Sequence, residues 1–222
     1  MTSAASMLIL GFLLGMRHAT DPDHVVAVTT IVAREKRVWA SAIIGAWWGL
    51  GHTVTIFAVG GALIAFHLVI PPRLGLAMES AVALMLVGLG ITTLTGARRR
   101  GRTGAPHLEI ANGSNLRSLF VGVVHGLAGS AAIALLILVT ISDVRWGALY
   151  LAVFGIGTIA GMMVLTTLLA LPFSYTAERF ASVNAGLVRV TASASVLLGV
   201  LLAYRFVVTD GLLSSAPHWT PG

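Results

Sequence analysis

Asp, Glu, Lys and Arg are absent from four stretches of the chain: Val38 to Pro72, Ser80 to Ala97, Ser118 to Ser142 and Trp146 to Ala177. A helix that crosses a bilayer needs about 20 mainly apolar residues; three of these stretches exceed that length and the second nearly reaches it. With the apolar segments at either end they predict six spans, at about 5–33, 39–66, 76–97, 117–141, 146–172 and 183–208. The runs are continuous, whereas strands of a membrane barrel alternate over about ten residues. The expected fold is all-α and polytopic. The first span alone is interrupted, by Gly15-Met-Arg-His-Ala-Thr-Asp-Pro-Asp-His24, which sets Arg17, His18, Asp21, Asp23 and His24 near mid-depth. Pro22 removes a helical hydrogen bond and disfavours helix at Asp21. This predicts a first helix broken at mid-membrane.

Composition agrees. The 222 residues are 57% hydrophobic and 10% charged, with mean hydropathy +0.93, whereas soluble domains carry about 25% charged residues. The absence of cysteine excludes disulfides and thiolate ligands. A net charge of +6 on a soluble chain would suggest a nucleic-acid partner, but here the bases cluster between apolar segments and none is expected. Arg34, Lys36, Arg37, Arg98, Arg99, Arg100, Arg102, Arg117 and Arg179 fall on one side, and Arg73, Arg145 and Arg205 on the other. The positive-inside rule puts the larger group in the cytoplasm and both termini outside a bacterial cytoplasmic membrane. The first six residues lack the positive region of a secretory signal, so the first segment is expected to be retained.

The halves resemble one another weakly. Gly15-x-x-His18 matches Gly122-x-x-His125, Gly49-x-Gly51 matches Gly155-x-Gly157, and Gly88 matches Gly199, at offsets of 107, 106 and 111. The expected organisation is one transmembrane domain. Repeat one covers 5–97, an Arg-rich cytoplasmic linker with Pro106, His107, Glu109 and Asn112-Gly113 covers 98–116, repeat two covers 117–208, and a tail covers 209–222. Three spans per half would invert the second copy, an arrangement in which substrates bind at mid-membrane between the halves.

The polar cluster carries the chemistry. Arg17, Asp21 and Asp23 would together cost roughly 9 kcal/mol if unpaired and lipid-facing, so they must face a protein interior or a cavity, and the default reading is a functional site. On an unbroken helix His18, Asp21 and His24 fall within about 120° of one another, while Asp23 points elsewhere. Two imidazoles with two carboxylates suit a borderline divalent transition metal. The competing reading is a buried ion-pair knot in which Arg17 pairs with Asp21 or Asp23. His52, in Trp47-Trp-Gly-Leu-Gly-His-Thr-Val-Thr55, is either a further ligand or a satisfied core histidine, with Thr53 and Thr55 beside it as hydrogen bonders or packing residues. His125, in His125-Gly-Leu-Ala-Gly-Ser130, is either a ligand or part of a structural or gating element that includes Ser130.

Arg17-His-Ala-Thr-Asp-Pro-Asp-His24 resembles the signature of the nickel/cobalt transporter family, His-x4-Asp-His preceded by Arg. Leu50-Gly-His-Thr53 resembles that family's second motif. The likeness covers roughly residues 8 to 205. It implies a secondary permease, not an enzyme, that carries Ni²⁺ or Co²⁺ as substrate and needs no prosthetic group. Metal recognition is then assigned by resemblance to His18, Asp21, Asp23 and His24, with His52 assisting. Typical members have eight spans, one of them ahead of the signature helix; this chain starts at the signature. Val124-His-Gly-Leu-Ala-Gly-Ser130 is more like the short urease-accessory membrane proteins of the same superfamily. That likeness implies nickel-enzyme maturation proteins as partners. It keeps open two alternatives, a delivery accessory and an efflux permease. An intramembrane metal hydrolase has the ligands but lacks a His-Glu-x-x-His helix, and no phosphate-binding loop is present.

Overall fold

The computed structural model describes residues 4–33, 35, 37–66, 70–103, 111–127, 141 and 143–219. Among the described residues seven α-helices run in order: α1 Ala4–His18, α2 Pro22–Val32, α3 Val38–Phe66, α4 Pro72–Thr103, α5 Ala111–His125, α6 Val144–Arg179 and α7 Ala181–Tyr204. A single π-helical turn, Arg205–Thr209, closes α7, and no strand occurs among the described residues. Among the described residues four segments are long and apolar enough to cross a membrane: Val38–Ala62, Pro72–Gly96, Arg145–Arg179 and Ala181–Thr209. Helices α1 and α2 are apolar but shorter. Ile9, Leu13, Leu84, Val190 and Leu197 stand exposed on the outer faces, as lipid-facing side chains of a helical membrane protein do.

The first apolar segment breaks where the sequence predicts. α1 ends at His18, and the chain turns with Thr20 N donating to Arg17 O at 2.8 Å and Asp21 N to His18 O at 3.2 Å. Asp21 is then the extended N-cap of α2 (φ −60°, ψ 144°), with Pro22 in the first turn. Proline suits that position because its missing N–H would have no partner there. Asp23 in the same turn complements the helix dipole. The turn after α5 repeats the pattern 107 residues on. Ala19 N donates to Gly15 O and Thr20 N to Arg17 O; Gly126 N donates to Gly122 O and Leu127 N to Val124 O.

The main interfaces are α4 on α7, α3 on α6, α1 on α6 and α3 on α5. Glycines let backbones approach at each, as small residues do between membrane helices. A Cβ on Gly15 would overlap the carbonyl of Phe154, and one on Gly122 the carbonyl of Trp48. Gly157 lies likewise over Phe12, and Gly51 over Leu119. Each contact thus has a counterpart with the two halves exchanged. Between α4 and α7 the reciprocal pair is Gly90 over Ala192 and Gly199 over Ala83. This corrects the sequence pairing of Gly88 with Gly199. Gly88 has open space around it, and Gly90, at an offset of 109, is the packed glycine. Gly88→Ala is accordingly expected to stabilise α4 by up to about 1 kcal/mol through helix propensity. Gly90→Ala is expected to lower stability by about 1–3 kcal/mol through overpacking. Thermal unfolding of the two variants in one detergent would check the contrast.

Three boundaries differ from expectation. The linker is shorter than 98–116, because α4 continues through Arg98 to Thr103 and α5 starts at Ala111. Arginine is a good helix former, and basic residues suit a helix C-terminus. α6 runs past the expected end at 172, through Pro172 to Arg179; membrane helices tolerate such prolines where neighbouring groups satisfy the freed backbone. The tail folds back on the start of α4. Trp219 Nε1 donates to Glu79 Oε1 at 2.9 Å, its indole lies over Gly75, and Arg73 Nη2 donates to Ser214 O at 3.1 Å. His67, His107, Glu109 and Ser130 lie outside the described residues.

Candidate metal centre

Four buried histidines converge from four helices. His18 closes α1, His24 sits in the first turn of α2, His52 lies mid-way along α3, and His125 closes α5. His24, His52 and His125 are fully buried and His18 nearly so. The ring of His24 is central: its centroid lies 4.7 Å from His18, 5.1 Å from His52 and 4.2 Å from His125. The three-residue break between α1 and α2 is what lets His18 and His24 face one point.

The hydrogen bonds fix where the protons lie in the neutral rings. An ionised carboxylate only accepts. His18 Nδ1 therefore donates to Asp21 Oδ2 at 2.8 Å, His24 Nδ1 to Asp23 Oδ1 at 3.2 Å, and His125 Nε2 to Asp23 Oδ2 at 2.8 Å. With its proton on Nδ1, His18 accepts through Nε2 from His52 Nε2, 2.8 Å away. Three ring nitrogens then carry free lone pairs: His24 Nε2, His52 Nδ1 and His125 Nδ1. Each is buried without a hydrogen-bond partner among the described residues. Buried polar atoms are otherwise almost always paired. Bare, buried imidazole nitrogens of this kind are what a divalent transition metal takes as ligands.

Asp21 stands behind His18, outside the donor groups found among the described residues. Its side chain makes no cap bond to α2 and is spent on His18 Nδ1. A carboxylate in that place orients a ligating imidazole and raises its basicity. Asp21→Asn is expected to weaken metal affinity about 10-fold while Asp21→Ala weakens it toward 100-fold, the span typical of such outer partners; a competitive Ni²⁺ titration would measure both. Asp23 touches both His24 and His125 and belongs to the cluster itself.

His125, left open by the sequence, joins the cluster through Asp23. Ser130, coupled to it in that reading, lies outside the described residues. Arg17 does not join. It is exposed, and it makes no ion pair with Asp21 or Asp23 among the described residues, because imidazoles engage both carboxylates. Among the described residues the expected ion-pair knot does not form. Thr53 bonds across to α6, its Oγ1 donating to Gly155 O at 3.3 Å, and Thr55 Oγ1 donates to Gly51 O and Val123 O. Both threonines pack helices.

Trp48 is the residue that sequence reasoning passed over. Fully buried, it stacks on His24 with centroids 5.9 Å apart and planes at 7°, and lies 5.4 Å from His125. Phe154 stands beside His18 at 5.9 Å. The signal was present: Trp48 precedes His52 by four residues, one turn along the same helix face.

Protein-family models give no match to the chain, and no solved structure matches it. A curated relative does. Over 216 residues the chain is 36% identical to the urease accessory protein UreH of Bacillus sp. (strain TB-90), covering 93% of this chain and 94% of that protein. At that identity and coverage, the chain belongs to the same family as the urease accessory protein UreH.

Proposed function

We propose that the chain is a secondary transporter that binds Ni²⁺ or Co²⁺ at the His18, His24, His52, His125 and Asp23 cluster and carries it into the cytoplasm. The observation that carries this reading is the set of three buried, unpartnered imidazole nitrogens in apolar helices. Imidazole with one carboxylate favours nickel, cobalt and their neighbours over calcium or magnesium, which want mostly oxygen. The role of the metal is nickel supply for urease or another nickel enzyme, consistent with the name of the relative. The chain acts as a transporter and not as a hydrolase. Asp23 in the cluster and Asp21 behind it are both engaged by imidazoles, which leaves neither as an obvious general base.

The transport frame is six spans in two inverted three-helix repeats, with both termini outside a bacterial cytoplasmic membrane. Support comes from the reciprocal glycine contacts and from the matching turns after His18 and His125. Rocking of one half against the other would open the cluster to each side in turn. Metal ligands must be deprotonated to bind, so protons compete at the same nitrogens. Metal-driven pH change in proteoliposomes is expected for the native chain and not for a chain that cannot bind metal.

The test is ⁶³Ni²⁺ uptake into proteoliposomes of the pure protein, with Co²⁺, Zn²⁺ and Mn²⁺ as competitors. Saturable uptake competed best by Co²⁺ supports the transporter. The relative's name favours a second reading, a membrane accessory that hands metal to maturation proteins. Tight binding with no uptake by the chain alone would support that reading. Transport only out of inside-loaded vesicles would point to efflux.

A further inference from the structure

The cluster is not one set of donors. Among the described residues its ligand atoms gather into two groups of three, His18, His24 and His52, and Asp23, His24 and His125, each with all donor atoms within 4.8 Å of one another. The outer members are separated, the rings of His52 and His125 lying 6.3 Å apart. His24 alone belongs to both. Its Nδ1 faces Asp23 while its Nε2 has no partner among the described residues.

The two groups differ in chemistry and in origin. The first is all-imidazole and is assembled from α1, α2 and α3; the second includes a carboxylate and is assembled from α2 and α5. Borderline divalent ions accept either set, with different affinity. Multi-site binding of this kind lets an ion be held tightly enough to enter and loosely enough to leave.

Resting on the transporter reading, we propose that the metal occupies two successive positions, an all-imidazole station at His18, His24 and His52 and a carboxylate-containing station at Asp23, His24 and His125, and that His24 passes it between them. Each station is complete without the other's outer ligands. Removing an outer ligand therefore leaves one station able to bind, while transport, which needs both, fails.

The test titrates Co²⁺, a spectroscopic probe for this ligand class, into the pure full-length chain and its His52→Gln, His125→Gln and His24→Ala variants. X-ray absorption of each loaded sample and uptake in proteoliposomes complete it. The two Gln variants are expected to keep Co²⁺ affinity within about 10-fold of the native chain, whereas His24→Ala loses about 100-fold or more, beyond the usual cost of an outer partner. The His52→Gln shell should contain carboxylate oxygen and the His125→Gln shell should be imidazole-rich. Both should lose at least about nine-tenths of uptake, since each breaks the relay while the other station still binds. If either Gln variant loses as much affinity as His24→Ala, the donors form one site and the two-station inference is wrong. Full uptake by either variant overturns it equally. A native chain that binds no Co²⁺ overturns the transporter reading itself. A second measurement needs no variant: the native chain should show two cobalt spectra whose proportions change with loading, and one invariant spectrum contradicts the proposal.

Discussion

Gly122→Ala is expected to abolish uptake and to lower the stability of the fold more than any single surface change. A Cβ at this position would overlap the carbonyl of Trp48 and crowd its indole. Overpacking costs about 1–3 kcal/mol where side chains can yield, and more where backbone must move. Here the obstacle is backbone, on the helix that also carries His52. The displaced segment is the last turn of α5, three residues before His125, so strain and misplacement of the ligand arrive together. Gly15→Ala should behave alike, since its Cβ would meet the Phe154 carbonyl and the Thr158 amide three residues before His18. Gly61→Ala is the control, with nothing within contact of the added methyl. Detergent-stability profiles of the four proteins, with uptake measured in parallel, would show the two pairs separating.

His24→Ala is expected to weaken Ni²⁺ binding by about 100-fold or more, exceeding the 10–100-fold usual for residues behind a ligand. Among the described residues His24 is the only one shared by both donor groups, and the other buried imidazoles are held elsewhere: His18 by Asp21, His52 by His18, and His125 by Asp23. Its ring also stacks on Trp48, a member of the buried core cluster with Ala27, Val28 and Ile44, so truncation leaves a void beside that core. Burial of a void of this kind costs about 2–5 kcal/mol. His24→Gln, which fills more of that space, separates the two effects. Affinity should stay lost while stability largely returns, read by Ni²⁺ titration and thermal unfolding of both variants.

Much of this site was legible in the chain because its residues are chemically improbable where they stand. Two carboxylates and two histidines inside an apolar run leave few readings, a metal site or an ion-pair knot, and Pro22 marks the break that gathers them. His125 was legible only as a repeat position, since nothing local distinguishes a ligand from a core histidine. Arg17 misled because a charged residue beside two carboxylates invites an ion pair. The helix periodicity that buries His18 turns its neighbour outward. Asp21 is assigned to metal recognition by resemblance, and its carboxylate meets His18 Nδ1; a motif alone does not tell a carboxylate that binds metal from one that orients an imidazole. Gly88 was matched in place of Gly90 for a related reason: both are glycine, and only packing shows which one another helix touches. The extension of α4 past Gly96 was hidden by polarity, since an Arg-rich segment reads as a loop even where it continues a helix.

The most direct test of the central claim is nickel K-edge X-ray absorption on the purified chain loaded with one equivalent of Ni²⁺. Binding at the buried cluster predicts a first shell dominated by nitrogen and oxygen at about 2.0–2.1 Å, with the outer-shell scattering of several imidazole rings. That imidazole scattering should fall sharply in His24→Ala. A shell of oxygen alone, unchanged by His24→Ala, would contradict the account, because the metal would then lie away from the four histidines.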